Sequence, residues 1–455
     1  MTETPIPRLI TVLAIPTILS MLVTSLYNMA DTFFIGQMEG TAEQINSATG
    51  AVAVVFSLMG IIQACGFFFG QGSGNYISRE LGNKNVDGAR KMATFGFCTA
   101  VIFGSIIAVL GLLFLEPLAF LLGATKTIMP YAKGYMFYIL LGVPFMCGSL
   151  VLNNQLRFQG NSFIAMIGII SGAVINVALD ALFVLALQMG TKGAGLATAI
   201  GQFCGFVILF IGTKLSNNVQ IKLKDYSFKL CYVKEVFRGG TPALARQGLS
   251  SLSVLCLNFI INVVYPLDVE ADPVISAMGI ASRIMMFCFS AALGFGQGFQ
   301  PVCGYNYGAK KFSRVKEGYF FCLKISSAFI VVTSALIFIF AKQITSVFND
   351  DVAAVDVSVM ALRLQCISFQ FVGVITFTNM MLQTIGKVFP ATLLSMGRQG
   401  IFYLPFVLTL PVMLGKVGIV IVQPVADLLT FALSLVLAIR EIKDLNRRIK
   451  EQEAP

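Results

Sequence analysis

Residues 163–188 read FIAMIGIISGAVINVALDALFVLALQ, a run of apolar and small residues whose one charge is Asp180. A helix rises about 1.5 Å per residue and a bilayer core is about 30 Å thick, so the run is long enough to cross a membrane. A carboxylate at such a depth costs at least about 2.5 kcal/mol on insertion scales, which marks Asp180 as a candidate functional residue.

Working outward, similar runs recur near 10–35, 48–74, 92–120, 131–156, 192–213, 238–264, 273–300, 318–345, 355–382, 388–413 and 416–438, giving twelve predicted spans. The chain has 455 residues, of which 56% are hydrophobic and only 12% charged, with a mean hydropathy of +0.82. Those values exclude a soluble globular fold and predict an all-α polytopic membrane protein. The first run is too long, and lacks the small-residue cleavage site, to be a removed signal peptide. The ten cysteines lie mostly inside spans with no CxxC pair, which predicts packing residues rather than disulfides or a zinc site. There is no His and no Trp, so protonation chemistry falls to carboxylates and interfacial aromatics must be Tyr or Phe.

The formal net charge of +10 is not spread evenly. Lys and Arg gather at both ends and in alternate connections, as in Lys222, Lys224, Lys229 and Lys234 between spans six and seven. This is the positive-inside pattern of a multi-pass plasma-membrane protein with both termini cytoplasmic, and it gives no reason to expect nucleic acid as a partner.

A shift of about 226 residues superposes the two halves and relates them as parallel repeats about an axis along the membrane normal. Gly70, Gln71 and Gly72 meet Gly296, Gln297 and Gly298; Gly82 and Lys84 meet Gly308 and Lys310; Pro16 meets Pro242; Leu156, Gly160, Phe163 and Ala165 meet Leu382, Gly386, Phe389 and Ala391. The expected organisation is a six-helix lobe over 1–213, a cytoplasmic link over 214–237, a second six-helix lobe over 238–438 and a cytoplasmic tail over 439–455. Two such bundles fit an alternating-access transporter.

Within that frame Asn176 lies one helical turn before Asp180, and Gly172 and Gly168 continue the same face, where another helix can approach closely. By helical rise Asp31, Asp180 and Thr198 all fall in the outer half of their spans. With Asn176 they form a predicted cluster of two carboxylates, an amide and a hydroxyl, suited to a hard cation or a shared proton. The repeat provides a control: Asp31, Asn176 and Asp180 fall opposite Leu257, Phe402 and Phe406, and Thr198 opposite Ile421 after a short gap. The second half keeps the scaffold and drops the polar cluster.

YNMADTFFIG at 27–36, GQGSGNYISRELGNKN at 70–85, LRFQGN at 156–161 and INVALD at 175–180 resemble the multidrug and toxic compound extrusion (MATE) transporters, near their MepA-like and DinF-like branch. The resemblance runs through all twelve spans. It implies two pseudo-symmetric six-helix lobes in a V. It also implies export of small amphipathic, often cationic compounds by a monomer in the bilayer, driven by H+ or Na+ as coupling ion with no further cofactor. In the branch with an N-terminal-lobe cation site, the roles carry over to Asp31, Asn176, Asp180 and Thr198, which would also hold Na+. Members that couple through the second lobe place a Glu in span seven, whereas GGTPALARQGLSS has Arg246 and Gln247 there and no acidic residue. Arg246, Arg283, Arg398 and Asp427 are intramembrane charges that either line the substrate cavity or pair internally, with Asp427 a partner for one Arg.

Two other transporter readings share this plan. A lipid-linked precursor flippase of the same superfamily would show more cationic residues lining its cavity. A major facilitator transporter would carry a D-R-x-G-R type run between spans two and three, to which LGNKNVDGARK is a loose match. An enzyme is not expected, since without His there is no HExxH or Ser-His-Asp site, and neither GxSxG nor a P-loop occurs.

Overall fold

The computed structural model describes residues 1–215, 219–264, 271–346 and 352–453. Among these the secondary structure is helical with no strands. Eleven helices are long and apolar enough to cross a membrane. The last of them, Val388–Glu453, is broken at Gly415, whose φ of 56° and ψ of −133° suit only glycine. The break gives the twelfth span.

The spanning helices are numbered α1 (Ile6–Gly36), α2 (Ala42–Gly82), α3 (Val86–Leu113), α4 (Met129–Phe158), α5 (Ser162–Asp180), α6 (Gly190–Leu215), α7 (Leu230–Val264), α8 (Ala271–Gly308), α9 (Phe312–Ile339), α10 (Val352–Thr384), α11 (388–414) and α12 (416–453). A single π-helical turn, Ala181–Ala186, prolongs α5, and another, Gly397–Ile401, interrupts α11. The helix ends follow from local chemistry. Thr41 and Gln44 close a reciprocal capping box on α2, and the Asn85 side chain accepts from Gly88 N at the start of α3.

The repeat read from the sequence is physical. Lys84 and Lys310 both adopt positive φ (64° and 57°) in the turns after α2 and α8, and Gly160 and Gly386 do so (90° and 85°) after α4 and α10. Across the latter turns Asn153 Nδ2 donates to Ala165 O at 2.9 Å, and its counterpart Asn379 Nδ2 donates to Ala391 O at 2.7 Å. Each bond gives a buried Asn amide an acceptor and ties the two helices together across the turn.

The chain divides into two compact units, Leu19–Gln247 and Met1–Ile18 with Gly248–Pro455. In the first, α4 is the central helix, packed against α2, α3 and α6. In the second its repeat partner α10 is central, against α8, α9 and α12. The divisions fall inside α1 and α7. Residues 6–18 of α1 belong with the second unit because glycines admit them: a Cβ at Gly298 would lie 2.5 Å from Ala14 Cα, and one at Gly294 2.7 Å from Ile18 Cα. The matching stretch of α7 belongs with the first unit for the same reason, since a Cβ at Gly72 would lie 2.5 Å from Val236 O. The GQG triplets thus mark backbone-to-backbone helix crossings.

The segment 439–453 continues α12 as a helix docked on its own unit. Lys387 Nζ meets Glu441 Oε2 at 2.5 Å, and Lys316 Nζ donates to Asn446 Oδ1 at 2.9 Å.

Candidate functional site

The predicted polar cluster is assembled by glycines. A Cβ at Gly172 on α5 would lie 3.0 Å from Gly201 O, one at Gly205 would lie 3.2 Å from Gly168 O, and one at Gly201 2.8 Å from the Asn176 Cβ. With no side chains in the seam, α5 and α6 come into backbone contact, and the next polar residues along it, Asn176 and Thr198, are forced together. A Cβ at Gly195 would likewise lie 2.7 Å from Tyr135 O, which draws α4 against α6 one turn from Thr198.

The resulting side-chain geometry joins all four residues singled out from the sequence. Thr198 Oγ1 donates to Asp31 Oδ2 at 3.0 Å, and Asn176 Nδ2 donates to Thr198 Oγ1 at 3.1 Å. Asp31 and Asp180 lie within hydrogen-bond reach of each other. Asp180 ends the regular part of α5 where the π turn begins, a local widening that recurs at functional positions. All four side chains are buried, Asp180 at 0% exposure.

Two members were not anticipated. Tyr135 of α4 donates its hydroxyl to Asp31 Oδ2. Tyr27, one turn before Asp31 on α1, lies beside Asp31, Asp180 and Thr198, and its hydroxyl accepts from Gln202 Nε2 at 3.5 Å. Tyr is common at membrane interfaces, so neither stood out by type. Their depth was the available signal, because Tyr135 lies as close to the start of α4 as Asp31 does to the end of α1.

Four buried oxygens in this cluster have no hydrogen-bond donor among the described residues: Asp31 Oδ1, both oxygens of Asp180, and Asn176 Oδ1. Two adjacent carboxyl groups cannot both stay ionised and bare in a dry core, and orphaned oxygen acceptors are what a proton or a hard cation satisfies. Beside the cluster, a cavity of about 80 Å³ extends among α1, α2, α4, α5 and α6, lined by Tyr27, Gln63, Asn153, Asn176 and Gln202. Its size and polar lining are enough to hold ordered water.

The repeat-related positions are apolar. Leu257 is part of the second unit's buried core, and Phe402 and Phe406 pack against it.

The remaining intramembrane charges separate. Arg398 Nε meets Asp427 Oδ1 at 2.8 Å, so those two are paired within the second unit. Arg246 is half-buried on α7 with Arg157 of α4 near enough to repel it, and it has no carboxylate partner among the described residues. Arg283 on α8 is exposed and joins no ion pair among the described residues.

The family model MatE matches residues 16–182 and 248–409, one segment in each half of the repeat. The chain belongs to the MatE family. Among its relatives, the multidrug export protein MepA of Staphylococcus aureus (strain MRSA252) is 24% identical over 445 residues, covering 97% of this chain and 95% of the relative. MepA of Staphylococcus saprophyticus is 26% identical over 414 residues, covering 90% and 88%. A crystal structure of MATE in complex with MaL6 superposes with a TM-score of 0.89 at 23% identity over 98% of both chains. The twelve-helix architecture is therefore the MATE fold, and this multi-pass membrane protein is a transporter rather than an enzyme.

Proposed function

We propose that the chain is a secondary active multidrug exporter of the plasma membrane, with both termini cytoplasmic. It exchanges small amphipathic, often cationic compounds for H+ or Na+ by alternating access, working as a monomer. The observation that carries this reading is the buried pair Asp31 and Asp180, three of whose four oxygens, together with Asn176 Oδ1, no donor among the described residues reaches. A proton or Na+ bound there neutralises the pair, and its departure leaves two carboxylates in contact. Charge repulsion and the need for new donors then bias α1 and α5 toward a different packing, which is how a bound cation shifts a two-state equilibrium.

Tyr135 and Thr198 hold Asp31 through one oxygen, leaving Oδ1 directed at the shared ligand. Asn176, tied through its amide nitrogen to Thr198, keeps its own oxygen for the same purpose. The cluster belongs wholly to the first unit, consistent with the apolar residues at the repeat-related positions of the second. The names of the staphylococcal relatives support multidrug compounds as the cargo.

The test is dye transport into reconstituted vesicles under an imposed pH or sodium gradient, with wild type and Asp180→Asn at matched insertion. Gradient-driven transport lost in the variant is the expected result, and the effective gradient names the ion. Unaltered gradient-driven transport in the variant would remove Asp180 from the coupling mechanism.

A further inference from the structure

The ion pair in the second unit is asymmetric. Asp427 is engaged on both oxygens: Oδ1 accepts from Arg398 Nε and from Gln423 Nε2, each at 2.8 Å, and Oδ2 accepts from Ser368 Oγ at 2.9 Å. It is almost fully buried, with 2% of its side chain accessible, whereas Arg398 retains 19%. Arg398 uses only Nε in this pair, and its two Nη groups reach no acceptor among the described residues. Asp427 thus fixes the rear of the guanidinium and leaves the front edge free.

Other contacts fix the orientation of that edge. The guanidinium carbon lies 4.9 Å from the centre of the Phe289 ring, so one face of the group is stacked. Arg398 sits in the π turn Gly397–Ile401 of α11, and this turn is pinned on two sides. Ser253 Oγ of α7 donates to Gln399 O at 2.5 Å, and a Cβ at Gly397 would lie 3.0 Å from Thr430 Cγ2 of α12.

Arg398 lies ten residues past Val388, roughly 15 Å along the helix by its rise. Hydrocarbon contact is costly for a guanidinium at that depth, and charged side chains within spans face the bundle interior or a water-filled path, so the accessible edge is read as open to such a path. A planar pair of N–H donors, oriented and stacked in advance, is the shape that binds a carboxylate through two parallel hydrogen bonds.

We infer that Arg398, positioned by Asp427 and Phe289, is a recognition residue for a carboxylate carried on an aromatic amphiphile. This rests on the export reading above and deepens it: Arg398 is the specificity-determining residue through which the second unit holds the anionic group of such a cargo. Asp427 acts through Arg398 as a positioning residue: it already accepts three hydrogen bonds and only 2% of its side chain is accessible, so the exposed member of the pair is Arg398.

Rhodamine 110, which has a free carboxyl group, and rhodamine 123, its methyl ester, form a matched probe pair for fluorescence binding to the purified full-length protein. Arg398→Gln lowers the preference for rhodamine 110 over rhodamine 123 by about tenfold, the size expected for a charge-assisted fork contact. Because Arg398→Gln strands a buried Asp427, the double variant Arg398→Gln/Asp427→Asn is measured alongside and shows the same loss. Arg398→Lys, which keeps the charge without the fork, loses part of the preference. A preference unchanged within about twofold in the double variant overturns the assignment and leaves the export reading intact. Wild-type protein that binds neither dye overturns both.

Discussion

Replacing Tyr135 with Phe removes the hydroxyl that donates to Asp31 Oδ2 and leaves the ring, which is buried among residues of α2 and α4, to pack as before. The loss is the hydrogen bond to Asp31 and a weak contact to Met59 Sδ at 3.9 Å, and its size depends mainly on the charge of the carboxyl acceptor. A bond to an ionised group contributes about 1.5–3 kcal/mol, against about 0.5–1.5 kcal/mol for a neutral one. Thr198 Oγ1 stays on the same oxygen at 3.0 Å, so the carboxylate is not stripped bare and the lower part of the first range applies, about 2 kcal/mol. In an Asp31→Asn background the acceptor is neutral and the same substitution costs about 1 kcal/mol or less. The four proteins of this double-mutant cycle are unfolded by denaturant in detergent, and the account predicts a coupling of about 1 kcal/mol between Tyr135 and Asp31. Equal costs for Tyr135→Phe in both backgrounds would refute the view that this hydroxyl supports a charged carboxyl group.

Further outcomes follow from the packing. Gly72→Ala and Gly298→Ala each place a methyl 2.5 Å from a backbone atom of a crossing helix, and thermal unfolding should show each losing about 1–3 kcal/mol, with a larger loss for Leu. Asn379→Ala removes donors to both Ala391 O and Ser395 Oγ, whereas Asn153→Ala removes only the donor to Ala165 O, so the Asn379 variant should unfold at the lower temperature. Arg398→Gln alone leaves Asp427 buried and uncompensated, a loss of about 3–5 kcal/mol, and adding Asp427→Asn should restore most of it. Gly415→Ala forces a side chain into a backbone region that only glycine adopts freely, and a reduced yield of folded protein in detergent is the expected readout.

The sequence carried the spans and the repeat because both are written in composition and spacing, which need no tertiary information. The break between α11 and α12 was legible from the polar pair Gly415 and Lys416 between two apolar runs. Asp31, Asn176, Asp180 and Thr198 were legible because charge and amide groups are rare in apolar helices and the glycine stripe showed which way they face. Tyr135 and Tyr27 were not, since a tyrosine near a helix end has an ordinary explanation at the membrane interface. The π turn after Asp180 was hidden as well: ALFVLA is as good an α-helix as its neighbours, and nothing in its residue types marks the widening. The division of α1 and α7 between two compact units leaves no mark in hydropathy, because it depends on which backbone each glycine meets. The sequence offered Asp427 as a partner for one arginine without choosing which, and both the pairing with Arg398 and its free Nη edge are visible only in three dimensions.

The most direct test of the central claim is the dissociation constant of a cationic dye for purified wild type and Asp180→Asn, measured across pH and across sodium concentration. Coupling is reciprocal, so a site that releases its cation when dye binds must weaken dye binding as that cation becomes abundant. The account predicts this dependence on one of the two ions in the wild type and its loss in Asp180→Asn, with dye still bound. The same dependence in both proteins would place the coupling site elsewhere than the Asp31 and Asp180 pair.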